Sequence, residues 1–125
     1  MIEIKDVLFV HEKLIEKYGG SFGVRDITLL ESALYRPFST YDKKELYATP
    51  ILKATALLES LVCNHPFVDG NKRTGYFLFR AFLLEYDYDI NLSQSEKYTF
   101  VIDISSGKLR GSDLVVYVEK IIIQK

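Results

Sequence analysis

The chain has 125 residues, 48% of them hydrophobic, which is enough for one domain with a buried core and no crosslinks. Its net charge of −1 and pI near 6.1 give no overall attraction for nucleic acid, so we expect no direct nucleic-acid binding and only local anion sites. A single cysteine, Cys63, allows no intrachain disulfide, and no apolar run approaches the ~20 residues that span a bilayer. We therefore expect one cytoplasmic domain, residues 1–125, without a signal or membrane segment.

The first third of the chain predicts two helices. Apolar residues recur every three or four positions through residues 2–18, as in an amphipathic helix, and Gly19 and Gly20 would end it. Asp26 is placed as the N-cap of a second helix, which Pro37 ends. His11 lies within the first helix, and we interpret it as a partly exposed residue without a ligand role.

A loop and a central helix follow. Residues 38–48, FSTYDKKELYA, lose helical periodicity and predict an ordered but mobile loop. Thr49 and Pro50 suit the N-cap and first position of a third helix that extends to about residue 64. Because Pro66 disfavours helical geometry in the residue before it, this helix should end at or before His65. Cys63 would point away from His65, so we expect a small core residue and no Cys-His catalytic pair.

The second half predicts three further helices. One begins at residue 71 or 72 and runs to about 87, and a capping box at Ser93 and Glu96 begins the next, which runs to about 104. Residues 113–125 favour a strand by local composition and a helix by periodicity, and we predict a helix. The expected fold is all-α, a compact bundle of about six helices in which the third and fourth form a central helix–loop–helix.

The segment between the two central helices, residues 65–75, reads HPFVDGNKRTG. His65 can act as an acid or a base, because histidine gains and loses its proton near neutral pH. Asp69 has carboxylate oxygens, which are suitable ligands for a cation. Gly70 and Asn71 permit a backbone in which successive amides face one anion, here at the start of a helix.

Two cations complete this segment. Lys72 and Arg73 stand in the first helical turn, where the helix dipole disfavours each by roughly 0.3–1 kcal/mol unless an anion is present. Each part of the segment also has a purely structural interpretation. His65 and Pro66 fit the end of a helix, residues 69–71 fit a loop turn, and Lys72 and Arg73 fit a solvent-exposed first turn of the next helix. Taken together, the residues of the segment predict a phosphate site.

The same eleven residues resemble the signature loop of the Fic/Doc superfamily. With its lysine in GNKR, the loop resembles that of the Doc (death-on-curing) branch, whose members are toxins of toxin–antitoxin pairs. Residues 18–37, YGGSFGVRDITLLESALYRP, are similar to the N-terminal region of Doc-like proteins. The resemblance implies the Fic fold and a flap at residues 38–48 that positions the target segment by backbone pairing.

The resemblance also implies a reaction, with ATP and Mg²⁺ as cofactors. Asp69 would hold the Mg²⁺, His65 would accept a proton from the target hydroxyl, and Arg73 and Lys72 would neutralise the phosphate. The other groups expected on the nucleotide are those of Gly70, Asn71, including its side chain, and Thr74. The Doc branch implies transfer of the terminal phosphate to a Ser or Thr hydroxyl of a translation elongation factor, growth arrest, and a Phd-like antitoxin as partner.

The chain departs from the larger Fic family at two positions. That family has glycine where Lys72 stands and a second arginine where Tyr76 stands, and Arg80, seven residues after Arg73, is a candidate substitute. We therefore favour protein kinase activity, with AMP transfer, a non-catalytic nucleotide-binding module and an antitoxin-binding assembly protein as alternatives.

The inhibitory pattern of the Fic family, Ser/Thr-x-x-x-Glu-Gly/Asn, is not intact. Thr55 and Glu59 have its spacing, but Ser60 follows and all three lie in the third helix. Inhibition is then expected to come from another chain.

Overall fold

A computed structural model describes residues 2–125, so residue 1 of the predicted domain lies outside the described residues. Over that range the fold is mainly helical, which confirms the prediction of a compact bundle of about six helices. The α-helices are α1 Ile4–Tyr18, α2 Ile27–Tyr35, α3 Pro50–Asn64, α4 Asn71–Glu85, α5 Gln94–Ser105 and α6 Gly111–Ile121. A 3₁₀ turn, Arg36–Phe38, follows α2, and the short strands are β1 Thr40–Tyr41, β2 Lys44–Glu45, β3 Tyr88–Ile90 and β4 Ile122–Gln124.

Helices α3 and α4 form the centre of the domain, and α1 and α2 cover one side while α5 and α6 cover the other. The two central helices approach closely at Gly75, where an added Cβ would lie 3.0 Å from Cγ2 of Val62. This close packing fixes the ends of α3 and α4, and the connection between those ends is the segment 65–75.

The predicted helix caps are present. The Asp26 carboxylate accepts hydrogen bonds from the first turn of α2, and the Thr49 hydroxyl accepts one from the first turn of α3. Ser93 and Glu96 make both hydrogen bonds of a capping box at α5. Cys63 packs against the core with its thiol 3.6 Å from the Ile104 carbonyl oxygen, and burial raises its pKa.

Residues 38–48 are more regular than the predicted loop. Strands β1 and β2 pair as an antiparallel hairpin, and the two turn residues, Asp42 and Lys43, both have positive φ, as a tight hairpin turn requires. Lys53 of α3 attaches this hairpin to the core, since its ammonium lies 2.9 Å from Oε1 of Glu45 and also bonds the Tyr47 carbonyl.

The prediction of a helix to the end of residues 113–125 is wrong for its last part. Helix α6 ends at Ile121, and residues 122–124 form β4, which pairs antiparallel with β3. The β-branched run Ile121, Ile122 and Ile123 favours a strand, and β3 supplies the partner that periodicity could not reveal.

Candidate active site between the central helices

His65 is the C-cap of α3 and adopts a left-handed backbone with φ of 49°. The Arg25 side chain holds this turn: its Nε donates to the His65 carbonyl at 2.7 Å and its Nη2 to the Asn64 carbonyl at 2.8 Å. The His65 side chain is exposed. The backbone is thus fixed while the imidazole remains open to a substrate.

The loop after His65 is held against residues 23–26. The Pro66 carbonyl accepts from the amides of Arg25 and Asp26, and the Val68 amide donates to the Gly23 carbonyl. Phe67 is 1% exposed and serves as the anchor of the loop. The loop is therefore rigid before any ligand binds.

The Asn71 side chain belongs to this internal framework. Its Oδ1 accepts from the Phe67 amide at 2.9 Å, and its Nδ2 donates to the Phe67 carbonyl at 3.0 Å. This side chain was predicted to contact the phosphate. In the structure its Oδ1 and one Nδ2–H hold the loop closed, so the Asn71 backbone amide is the group that is fully open to an anion.

The amides at the start of α4 are free to bind an anion. Gly70 is the N-cap, with φ of 76°, and no side chain among residues 2–125 caps this helix. The first intrahelical bond runs from the Thr74 amide to the Gly70 carbonyl at 3.0 Å, so the amides of residues 71–73 have no intrahelical acceptor. With the positive end of the helix dipole, these three amides can bind a phosphate.

Thr74 does not reach the cleft. It is 0% exposed, its hydroxyl has no hydrogen-bond partner among residues 2–125, and its amide is used within α4. The expected contact between Thr74 and the nucleotide is therefore wrong: Thr74 lies on the core side of the first helical turn.

Asp69 is exposed and accepts two backbone hydrogen bonds, from Gly70 N at 2.9 Å to Oδ1 and from Ser21 N at 3.1 Å to Oδ2. Both donors are backbone amides, and each carboxylate oxygen has a further lone pair that a cation can use. Within residues 2–125 no three His, Cys, Asp or Glu side chains come together as a metal site. A single carboxylate that shares a cation with substrate oxygens fits the coordination that Mg²⁺ prefers.

The two cations of the segment face the same cleft. Arg73 is exposed, and its guanidinium carbon lies 4.3 Å from the centroid of the Tyr18 ring, a cation–π contact that orients it. Lys72 is partly buried at the wall of the cleft. Arg73 and Lys72 thus lie beside the open amides, where an anion would offset their repulsion with the helix dipole.

The cleft measures about 940 Å³, within the range of small-molecule sites. His65, Asp69, Gly70, Asn71, Lys72 and Arg73 line one end. Helices α4 and α5 line the rest of the cleft with the apolar side chains Phe77, Ala81, Leu84, Val101 and Ile102 and with the cations Arg80 and Lys97. The cleft therefore carries positive charge both at the loop and on the walls formed by α4 and α5.

Arg80, the candidate substitute for the missing second arginine, lines the cleft but is paired with Asp89. Its Nε lies 2.8 Å from Oδ1 of Asp89 and its Nη2 lies 3.0 Å from Oδ2, a bidentate ion pair. The Arg80 guanidinium lowers the pKa of Asp89 to about 2. Arg80 would have to give up this partner to bind a phosphate.

Lys97 of α5 is a cation of the cleft that was not predicted from the sequence. Its ammonium lies 5.8 Å from the centroid of the Tyr76 ring, and its side chain lines the cleft. Burial raises the pKa of Tyr76, whose hydroxyl has no hydrogen-bond partner among residues 2–125. Local sequence carried no signal for Lys97, since its place depends on how α5 packs against α4.

The interpretation of His11 as a partly exposed residue is also wrong. It is 4% exposed, its Nε2 lies 2.8 Å from the Asp69 carbonyl oxygen, and its ring stacks on Phe67 at 3.8 Å. A signal was available, because His11 is four residues from both Val7 and Ile15 and shares their buried face of α1.

Glu59 lies outside the cleft. Its carboxylate bonds the Arg36 guanidinium at 2.8 Å and the Gly111 amide at 2.8 Å. Burial alone would raise the pKa of Glu59, but the Gly111 amide and Arg36 outweigh it and lower the pKa. Glu59 therefore connects α3 to the 3₁₀ turn and to α6.

Comparisons with known proteins agree with this arrangement. The model of the Fic/DOC family matches residues 1–83, which include the whole segment 65–75. Toxin Doc of Mycolicibacterium smegmatis is 40% identical over 83 residues, which are 62% of this chain and 64% of that toxin. The match thus spans less than two thirds of the toxin's length. Among residues 2–125, no helix has the length and apolar content needed to cross a membrane. Because the family model covers more than half of the sequence and contains the loop that forms the cleft, the chain belongs to the Fic/DOC family.

Proposed function

We propose that this chain is a Doc-type toxin that transfers the terminal phosphate of ATP to a Ser or Thr hydroxyl of a protein in the cytoplasm and so arrests growth. One observation carries the proposal: three open amides at the start of α4 lie in one cleft with two cations and an exposed histidine. The likeness to a protein named Toxin Doc supports the toxin part. The resemblance of the loop implies a translation elongation factor as the target.

In this reaction the target hydroxyl oxygen forms a bond to the γ-phosphorus while the bond from that phosphorus to the β-phosphate oxygen breaks and ADP leaves. His65 accepts the hydroxyl proton, and its fixed backbone and open side chain suit that role. The amides of residues 71–73, with Lys72 and Arg73, stabilise the charge on the transferred group. Asp69 would hold Mg²⁺, which supplies further neutralisation of the phosphate oxygens.

The distribution of charge favours transfer of the terminal phosphate over AMP transfer. AMP transfer places the α-phosphate at the loop and needs cations beyond it for the β- and γ-phosphates. Tyr76 occupies the position where a second arginine would serve, and Arg80 is neutralised by Asp89. The free positive charge near the loop is thus concentrated in Lys72 and Arg73.

AMP transfer remains the second candidate because of Lys97. This lysine lines the cleft from α5, beside Tyr76, and would supply a cation for the β- and γ-phosphates outside the loop. In that reaction the hydroxyl oxygen attacks the α-phosphorus and pyrophosphate leaves.

Labelled ATP separates the two reactions. The protein is incubated with a lysate of a susceptible host and ATP labelled at the γ- or the α-phosphate, and His65→Ala is the control. We expect protein-bound γ label that His65→Ala abolishes, with Lys97→Met close to the parent. Protein-bound α label that Lys97→Met and His65→Ala both remove would make the chain an AMP transferase. Binding of ATP without any labelling of protein would instead support a non-catalytic nucleotide-binding module.

The proposal also includes two protein partners. The hairpin β1–β2 is the candidate flap, because its exposed strands are available to pair with an extended target segment. A Phd-like antitoxin would hold the toxin in check, docking an amphipathic helix in an apolar groove near α1 and α2 or the hairpin. We expect growth arrest on expression and its rescue by co-expressed antitoxin. Free expression without any growth defect in a susceptible host would contradict the toxin proposal, and rescue without any enzyme activity would favour an assembly protein.

A further inference from the structure

We infer that His11 is a positioning residue that sets the orientation of the Asp69–Gly70 peptide and, through it, of the Asp69 carboxylate. That the carboxylate binds Mg²⁺ rests on the proposed function, whereas the contact between His11 and the Asp69 carbonyl does not. His11 comes from α1, far along the chain from the loop, and it contacts the loop at the Asp69 carbonyl and at the Phe67 ring.

The geometry identifies which atom acts. The Asp69 carbonyl oxygen can only accept, so the His11 Nε2 at 2.8 Å from it must carry a proton. The imidazole cannot move away, because it is 4% exposed and lies nearly parallel to the Phe67 ring, with an angle of 6° between the planes. Space on the loop side is also closed: a Cβ added to Gly70 would lie 3.5 Å from Nε2.

One hydrogen bond at this carbonyl determines the direction of the next amide. None of the peptide bonds among residues 2–125 is cis, so the Asp69 C=O and the Gly70 N–H point in opposite directions. Because His11 draws the carbonyl toward α1, the Gly70 N–H points outward. There it donates to Oδ1 of Asp69 at 2.9 Å. The buried imidazole thus fixes an exposed carboxylate through a single peptide plane.

Gly70 is the N-cap of α4, and the amides of residues 71–73 that follow it take their direction from the packing of α4 on α3. A rotation of the Asp69–Gly70 peptide would therefore change the Asp69 carboxylate and leave those amides in place. His11 thus positions the group that would hold Mg²⁺ and not the groups that would bind the phosphate.

Two variants of His11 separate the effect of its hydrogen-bond donor from the effect of its aromatic ring. His11→Phe keeps an aromatic ring against Phe67 and removes the proton donor. His11→Gln removes the ring and keeps an amide nitrogen that can donate to the Asp69 carbonyl. A purely structural role predicts that Phe is the better replacement, whereas a positioning role predicts that Gln is.

Binding of ATP is measured by calorimetry with and without Mg²⁺ for the parent, both His11 variants and Asp69→Ala. We expect His11→Phe to lose about 10-fold or more in affinity with Mg²⁺, the usual effect of removing the partner that orients a metal ligand. Affinity without Mg²⁺ should change by no more than about twofold, since substitutions that leave the binding groups in place usually have only small effects. His11→Gln should recover most of the loss, and His11→Phe in an Asp69→Ala background should have no further effect.

Amide and imidazole spectra give a readout that needs no ligand. In ¹⁵N-labelled parent protein we expect a protonated Nε2 in His11, and in His11→Phe a shifted and faster-exchanging Gly70 amide, with His11→Gln close to the parent. His65→Ala serves as the control that abolishes transfer and leaves the Gly70 amide unchanged. If the parent transfers no label, the proposed function fails, but these spectra still decide the inference about His11.

An unprotonated Nε2 in the parent would overturn the inference. So would a His11→Phe protein whose Gly70 amide and Mg²⁺-dependent binding equal those of the parent, or a His11→Gln protein as impaired as His11→Phe. If His11→Phe fails to fold, the Nε2 spectrum of the parent and the Gly70 amide of His11→Gln decide the question.

Discussion

Gly20→Ala should displace the Asp69 carboxylate without altering any residue of the loop. Gly20 has φ of +112°, and a Cβ there would lie 2.7 Å from Oδ2 of Asp69 and 3.1 Å from Cδ1 of Ile15. Real Cβ atoms do not approach an oxygen so closely, and the end of the Asp69 side chain is the group that can move. It would rotate away from the Ser21 amide that now holds it.

The effect on stability can be worked out with a matched variant. Gly19 also has positive φ, +91°, but a Cβ there meets nothing within 4 Å, so Gly19→Ala reports the backbone strain alone. That strain should lower the free energy of unfolding by about 1–3 kcal/mol in either variant. Gly20→Ala should lose about 1 kcal/mol more, for the hydrogen bond from Ser21 to Asp69.

The two variants should differ far more in binding than in stability. Urea unfolding gives the free energies, and calorimetry gives the affinity for ATP with and without Mg²⁺. We expect Gly20→Ala to lose about 10-fold or more in Mg²⁺-dependent affinity and Gly19→Ala to keep nearly all of it. Equal Mg²⁺ dependence in both variants would refute the assignment of the Asp69 carboxylate as the group that holds the cation.

Three further predictions concern the framework of the site. Gly75→Ala should lower the free energy of unfolding by about 1 kcal/mol, because overpacking of the new Cβ against Val62 costs about 1–3 kcal/mol and the better helix propensity of Ala offsets about 0.5–1 kcal/mol of that. An unchanged melting temperature would contradict this. The pKa of Asp89 falls from 3.8 to about 2 on folding, so its pair with Arg80 contributes stability that is present above pH 3.8 and lost as pH falls toward 2. Half of the Arg80 side chain is exposed, so we expect only about 1 kcal/mol, and urea unfolding of Asp89→Asn should lack this acid dependence. Lys53→Met should free the hairpin, seen as faster amide exchange in residues 39–46 with unchanged protection in α3, and equal exchange would show that the ion pair does not hold it.

Much of the fold was predictable because its signals are local. The caps at Asp26, Thr49 and Ser93 depend on a side chain and the amides two or three residues later, and all three are present. The end of α6 was not predictable in this way. Strand β4 forms because β3 lies beside it, and a partner more than thirty residues away leaves no trace in a window of sequence.

The same contrast between local and long-range signals applies to the residues of the candidate site. The residues proposed to react or to bind the phosphate, His65, Asp69, Lys72 and Arg73, come from one contiguous segment, and the structure places all four in one cleft. Two residues that contact or face this segment come from other helices and were not predicted. His11 of α1 bonds the Asp69 carbonyl, and Lys97 of α5 lines the cleft beside Tyr76. Thr74 was misassigned for a third reason: which side of the first helical turn faces the core depends on tertiary packing.

The cover formed by α5 and α6 has a consequence for how the protein is made. The family match ends at residue 83, yet Phe100, Ile104, Leu114 and Val118 of the later helices are at most 1% exposed and pack on α3 and α4. During synthesis, the apolar side of α3 and α4 that α5 and α6 cover stays exposed until residue 121 has left the ribosome. Since packing of α3 against α4 fixes the geometry of segment 65–75, we expect the cleft of a nascent chain that already contains this segment to stay unformed until α5 and α6 dock. The interval between synthesis of the segment and docking of α5 and α6 is then a period in which a second chain can bind the unfinished protein before its cleft forms.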